Sequence, residues 1–122
     1  MEQPITRPGV ALVTGAGGGI GAAVARRLGA DGYHVCVNDV DAGRAEAIAK
    51  GIRTAGGSAD IGIADVSDSR AVDAMIDLLE AEVGPIQVLV NNAGIGGNAA
   101  IRDVTDEYWD RVRSIDLDGV LY

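Results

Sequence analysis

The chain has 122 residues, 48% hydrophobic and 23% charged, a balance that fits one ordinary folded domain with a sizeable core. Its 18 acidic residues against 10 basic ones leave a net charge of −8, which repels nucleic-acid backbones and anionic membrane surfaces. No apolar run approaches the ~20 residues that cross a bilayer, so neither nucleic acid nor membrane is expected as a partner.

Residues 1–8 carry no apolar stretch after a basic start and read as a flexible lead, with one domain over 9–122. The first strand candidate is the apolar run Gly9 to Thr14. Five glycines then fall within the eight residues Thr14 to Gly21, where each costs roughly 0.5 to 1 kcal/mol relative to Ala inside regular structure. A helix follows from Ile20, with Val24, Arg27 and Leu28 at helical spacing and Gly32 at its end. The second strand candidate, Tyr33 to Asn38, holds the only cysteine, Cys36, and the only histidine, His34. Cys36 can form no internal disulfide and reads as a buried thiol in a reducing, cytoplasmic compartment. His34 has no metal-ligating neighbours, so no metal site is expected.

Asp41 can cap a second helix with Ala45, Ile48, Ala49 and Ile52 on one face, ending at Gly56-Gly57. A short strand is predicted over Ile61 to Ala64. Ser67 or Asp68 can cap a third helix, whose Val72, Met75, Ile76, Leu79 and Val83 keep the i, i+3, i+4 rhythm until Gly84-Pro85. The fourth strand candidate, Ile86 to Asn91, has Val88-Leu89-Val90 reading as buried on both faces. After a loop from Ile95 to Val104, one helix begins at Thr105, with Tyr108, Trp109, Val112, Ile115 and Gly119 on its buried side.

Alternating strands and helices imply an α/β fold with a parallel sheet covered on both faces. The glycine stretch then joins the first strand to the first helix, where unpaired N–H groups and the helix dipole suit a phosphate or pyrophosphate. Gly15 would make the tight turn, Gly17-Gly18-Gly19 would let a dinucleotide lie against the backbone, and Gly21 would let the helix pack close. A P-loop is excluded, because Gly21 is followed by Ala22-Ala23 where that motif needs Lys and Ser or Thr. Asp39, at the end of the second strand, is either a solvated strand end or the acceptor for the ribose 2′- and 3′-hydroxyls of an adenosine. With Asp41 close by, and no cation at Gly17 or Gly18, the second reading favours NAD over NADP.

Thr14-Gly15-x-x-x-Gly19-Ile20-Gly21, Asp39, Asp65-Val66 and Asn91-Asn92-Ala93-Gly94, in that order, resemble the short-chain dehydrogenase/reductase family. The resemblance runs from Val10 onward and corresponds to the first half of a usual member. It implies a Rossmann-type doubly wound sheet, truncated, and a dinucleotide site made by Thr14, Gly15, Gly18, Gly19, Ile20 and Gly21 at the pyrophosphate turn. Asp39 would meet the ribose, Asp65 and Val66 the adenine, and Asn92, Ala93 and Gly94 would line the ribose side. In the family an Asn on the helix before the catalytic segment joins a proton relay, and Asp116 stands at that position here.

The implied activity is hydride transfer between a nicotinamide cofactor and a small alcohol or ketone. The family's Tyr-x-x-x-Lys pair is absent: Lys50, the only lysine, has Glu46 four residues before it, and Tyr33 and Tyr108 are followed at that spacing by Val37 and Val112. A non-catalytic nucleotide-binding module or truncated pseudoenzyme is therefore the alternative. Right-handed crossovers order the strands 3-2-1-4, leaving the fourth at an apolar edge, so a homo-oligomer is expected.

Overall fold

Four strands pair in parallel in the computed structural model, which describes residues 9–95 and 100–122; the expected lead over 1–8 lies outside these. The strands are β1 (Val10–Val13), β2 (His34–Asp39), β3 (Ser58–Ile63) and β4 (Ile86–Val90), in the order β3-β2-β1-β4. This is the 3-2-1-4 arrangement expected from the crossover rule. The intervening helices are α1 (Gly19–Ala30), α2 (Ala42–Thr54) and α3 (Ser69–Glu82), followed by α4 (Asp106–Arg113).

Successive side chains on a strand point to opposite faces, and the core follows that alternation. Val35 and Val37 of β2 pack with Ala22, Ala25, Ala45, Ile48, Ala49 and Ile52, the inner faces of α1 and α2. Cys36, between them, turns the other way and joins Val10, Leu12, Met75 and Leu79 under α3. The sheet is thus covered on both faces. The carboxyl ends of all four strands share one edge, because parallel pairing sets Val13 beside both Val37 and Val90, and Asp39 beside Ile63.

Three expectations are corrected. β3 begins at Ser58 instead of Ile61, because pairing with β2 from His34 to Asp39 defines it, and its first residues, with Ser58 and Asp60 exposed, carry no apolar run of their own. β4 is buried on neither face: Leu89 is 54% exposed and its neighbours half-buried, since the strand lies at the sheet edge. The predicted last helix is not continuous. α4 gives way at Ser114–Asp118 to a π turn, then to a single helical turn at Gly119–Leu121. Of its expected buried side only Ile115 and Gly119 are buried, both beyond α4, with Gly119 set against Val66; α4 itself buries no residue and Trp109 is 59% exposed. The preceding loop carries a short 3-10 turn at Ile101–Asp103.

Candidate functional site

The turn from β1 into α1 is built from backbone contacts that side chains would block. Gly15 has φ +61, and a Cβ there would lie 2.8 Å from Ala93 Cα, so the position needs both a left-handed backbone and no side chain. Gly21 faces a different obstacle: its Cβ would strike the Asn92 side-chain amide and come within 2.6 Å of the Gly15 carbonyl. Asn92 and the turn can therefore share one volume only if Gly21 is bare.

Asn92 uses that space. Its backbone N–H donates to Thr14 Oγ1 at 3.0 Å, and its side-chain nitrogen donates to the carbonyls of Thr14 and Gly15, each at 3.1 Å. The Ala93 N–H also donates to Thr14 Oγ1 at 3.0 Å. Thr14 is 6% exposed and so acts as a fixed post joining the ends of β1 and β4.

On the other side, β2 anchors the same turn. Asn38, almost wholly buried, accepts the Gly15 N–H at 3.3 Å and donates to the carbonyls of Gly62 and Ala64 at 2.9 and 3.1 Å, tying three strand ends together. Asp39 Oδ2 accepts the Gly17 N–H at 3.0 Å and its Oδ1 accepts the Asp41 N–H at 3.0 Å. A carboxylate offers about four acceptor positions, so two remain for a ligand.

These ends surround a cleft of about 520 Å³ at the carboxyl edge of the sheet, within the usual range for small-ligand sites. Of the residues singled out by sequence, Gly15, Gly18, Gly19 and Ile20 line one wall, Asp39, Asp65 and Val66 another, and Asn92, Ala93 and Gly94 a third. Thr14 and Gly21 stand behind the wall and hold it in place.

α1 begins at this cleft, and Gly18 at its N-cap provides no side-chain cap. The starts of α2, α3 and α4 differ. Asp41 caps α2 through the Arg44 N–H, Asp68 caps α3 and Thr105 caps α4. The first-turn donors of α1 are thus left for something in the cleft, and the helix dipole favours that something being an anion.

Two predicted residues are engaged locally. Asp65 accepts the Ser67 hydroxyl at 2.6 Å and the Ser67 N–H at 2.9 Å, and these bonds, the hydroxyl's first, hold its carboxyl below the ordinary value of 3.8. Asp116 lies in the π turn, exposed, and accepts the Ile95 N–H at 2.9 Å. A π turn inserts one extra residue into a helix and often marks a functional position.

Sequence reasoning missed two cations. Arg44 and Arg111 both line the cleft, which corrects the expectation that no cation neighbours the Gly17-Gly18 edge. A Cβ on Gly18 would collide with the Arg44 guanidinium. No spacing pattern marks either residue; one is brought in by the start of α2 and the other by α4. Among the described residues no group of three His, Cys, Asp or Glu could hold a metal ion, and no helix is long and apolar enough to cross a membrane.

Comparison with known proteins agrees with this architecture. The family model described as short chain dehydrogenase matches residues 9–122. A 2,3-dihydro-2,3-dihydroxybenzoate dehydrogenase from Bacillus subtilis (strain 168) is 38% identical over 111 residues, which are 91% of this chain and 42% of that protein. A metagenomic short-chain oxidoreductase, solved in complex with NADP, superposes with a TM-score of 0.88 at 37% identity, covering 93% of this chain and 52% of the other. A gluconate 5-dehydrogenase from Burkholderia cenocepacia J2315, solved with NADP and tartrate, gives 0.87 at 38% identity, covering 95% and 46%. The chain thus spans about half, or less, of the length of these relatives.

Proposed function

The chain belongs to the short-chain dehydrogenase family, and from that premise we propose that it forms the dinucleotide-binding part of an oxidoreductase moving hydride between a nicotinamide cofactor and a small alcohol or ketone. The observation that carries this reading is the start of α1, without a side-chain cap, opening into the cleft beside the Asp39 carboxylate. One end of a dinucleotide asks for N–H donors at its pyrophosphate, the other for a carboxylate at its ribose hydroxyls. The NADP held by two solved relatives supports the ligand class.

Bound there, the nicotinamide would accept or release the hydride. The chain's own residues bind and orient. The N–H groups of the first turn of α1, at Gly19 and Ile20, would hold the pyrophosphate, with Gly15 and Gly18 bare beside it and Gly21 packed behind. Asp39 would accept hydrogen bonds from the ribose hydroxyls, Asp65 and Val66 would flank the adenine, and Asn92, Ala93 and Gly94 would line the second ribose. Asp116 is the candidate relay group. Its carboxylate already holds the Ile95 N–H, and when ionised it can accept a proton-bearing partner but not donate to one.

Asp39 favours NAD, because its charge sits where NADP carries a 2′-phosphate. The buried, free thiol of Cys36 fits the cytoplasm. Titrating the full-length protein with NAD+ and NADP+ by calorimetry tests the proposal: failure to bind either refutes it, and tighter binding of NADP+ refutes the preference.

A further inference from the structure

Resting on the reading of the cleft as a dinucleotide site, we propose that Asp116 sets the redox-state preference of that site: its carboxylate makes the cleft hold the oxidised nicotinamide cofactor more tightly than the reduced one. The order of the sheet places the two ends of the ligand. The strand ends of β3, β2, β1 and β4 follow one another across the cleft as Asp65-Val66, Asp39, the glycine turn, and Asn92 to Ile95. With a carboxylate for the adenosine ribose at the end of β2 and donors for the pyrophosphate at the start of α1, the remaining half of a dinucleotide lies over the end of β4. The nicotinamide ring belongs to that half.

Asp116 is fastened to the same end. Its Oδ1 accepts the Ile95 N–H at 2.9 Å, and a Cβ on Gly94 would lie 3.4 Å from that oxygen. Gly94 and Ile95 both line the cleft, and Gly94 puts no side chain of its own between the cleft and the carboxylate. The π turn produces this placement, since it buries Ile115 as cleft wall while the next residue, Asp116, reaches the chain beyond β4. One N–H donor leaves the carboxylate its charge. The ion pairs among the described residues, Arg27 with Asp31, His34 with Asp60, Arg53 with Glu46 and Arg113 with Asp110, leave Asp116 out. The oxidised nicotinamide ring carries a positive charge and the reduced ring is neutral, whereas the phosphates are common to both forms. A negative charge held near the ring therefore separates the two by Coulomb attraction alone. An amide at this position would accept the same N–H and carry no charge.

The test measures dissociation constants of NAD+ and NADH for the full-length wild type, Asp116→Asn and Asp116→Glu, at low and high salt. The expected result is that Asp116→Asn lowers the ratio of the NADH to the NAD+ constant about three- to tenfold, with Asp116→Glu nearer to wild type. Asp118→Asn removes an equal charge from the same turn and should change the ratio less. Because Asp116 is exposed, salt should screen its charge and lower the wild-type ratio as well, a readout that needs no folded variant. An unchanged ratio in Asp116→Asn overturns the proposal, as does equal weakening of NAD+ and NADH, which would make Asp116 a clamp on the Ile95 backbone and nothing more. A wild-type ratio that ignores salt overturns it too. In each of these cases the dinucleotide reading stands, whereas wild type that binds neither NAD+ nor NADH, nor their 2′-phosphorylated forms, removes both.

Discussion

Asn92 donates two hydrogen bonds to Thr14, one from its backbone to Oγ1 and one from its side chain to the carbonyl, across 78 residues of sequence. This pair fixes the distance between the glycine turn and the end of β4, and hence the width of the cleft. Thr14→Val keeps the shape and removes the oxygen, leaving the N–H groups of Asn92 and Ala93 without their acceptor. We expect a loss of about 1–3 kcal/mol of stability, read by urea denaturation, with Thr14→Ser close to wild type. An undiminished stability of Thr14→Val would show that the hydrogen bonds to Oγ1 contribute nothing, and a loss confined to Thr14→Ser would assign the effect to the methyl group.

Gly21→Ala sets two effects against each other. Helix propensity alone would stabilise the variant by up to roughly 1 kcal/mol. The Cβ, however, meets the Asn92 amide and the Gly15 carbonyl, which are held by other bonds and cannot both retreat. Overpacking of this kind costs about 1–3 kcal/mol, so we expect net destabilisation and weaker cofactor binding. A raised denaturation midpoint would refute the packing account.

Asp39→Ala should weaken NAD+ binding about ten- to a hundredfold, the worth of one or two hydrogen bonds to a charged acceptor at 1.5–3 kcal/mol. NADP+ should be affected less, or gain, because a negative charge is removed beside the 2′ position. Calorimetric titration of both cofactors decides it, and a larger loss for NADP+ would contradict the assignment of Asp39 to the ribose.

Burial, and secondarily the charge of Asp60, push the Cys36 thiol up from 9.0 to about 12. The native thiol should then carry about a thousandfold less thiolate than an exposed one and react with a disulfide reagent only on unfolding. The sign for stability follows: a raised folded pKa means stability that is full below 9.0 and declines as pH rises from there toward 12. Rapid labelling of folded protein at pH 8 would contradict the buried placement.

Asp65 works in the opposite direction. Its carboxyl is held below 3.8 by Ser67, so it contributes stability that is present above that value and is lost as pH falls through the lower folded value. Ser67→Ala removes the hydroxyl donor and should flatten the acid limb of the stability curve below about pH 4, while lowering stability at neutral pH by about 1 kcal/mol. An unchanged acid limb, measured by denaturation at a series of pH values, would show that the bond does not bias ionisation.

The candidate site was legible in the sequence where its signals are local. The glycine turn, Asp39 after a strand and Asn91-Asn92-Ala93-Gly94 each sit at a strand end, and parallel strands send those ends to one edge. Helices α2 and α3 were readable for the same reason, since Asp41 and Asp68 cap the turns that follow them and the apolar spacing is set by helical geometry alone. β3 was only partly readable. Its identity comes from pairing with β2, and Ser58, Asp60 and Gly62 dilute any pattern of its own.

What the sequence by itself determined was the alternation of strands and helices, the caps and the glycines, because each depends on residues a few positions apart. The tertiary structure alone decided that Asn92 fills the space above Gly21, that Trp109 faces outward, that a π turn carries Asp116 beside Ile95, and that Arg44 reaches Gly18 from the next helix. Those relationships join residues far apart in the chain, such as Gly21 with Asn92 and Gly18 with Arg44. They are set by which surfaces the sheet brings together, and no spacing along the chain encodes that.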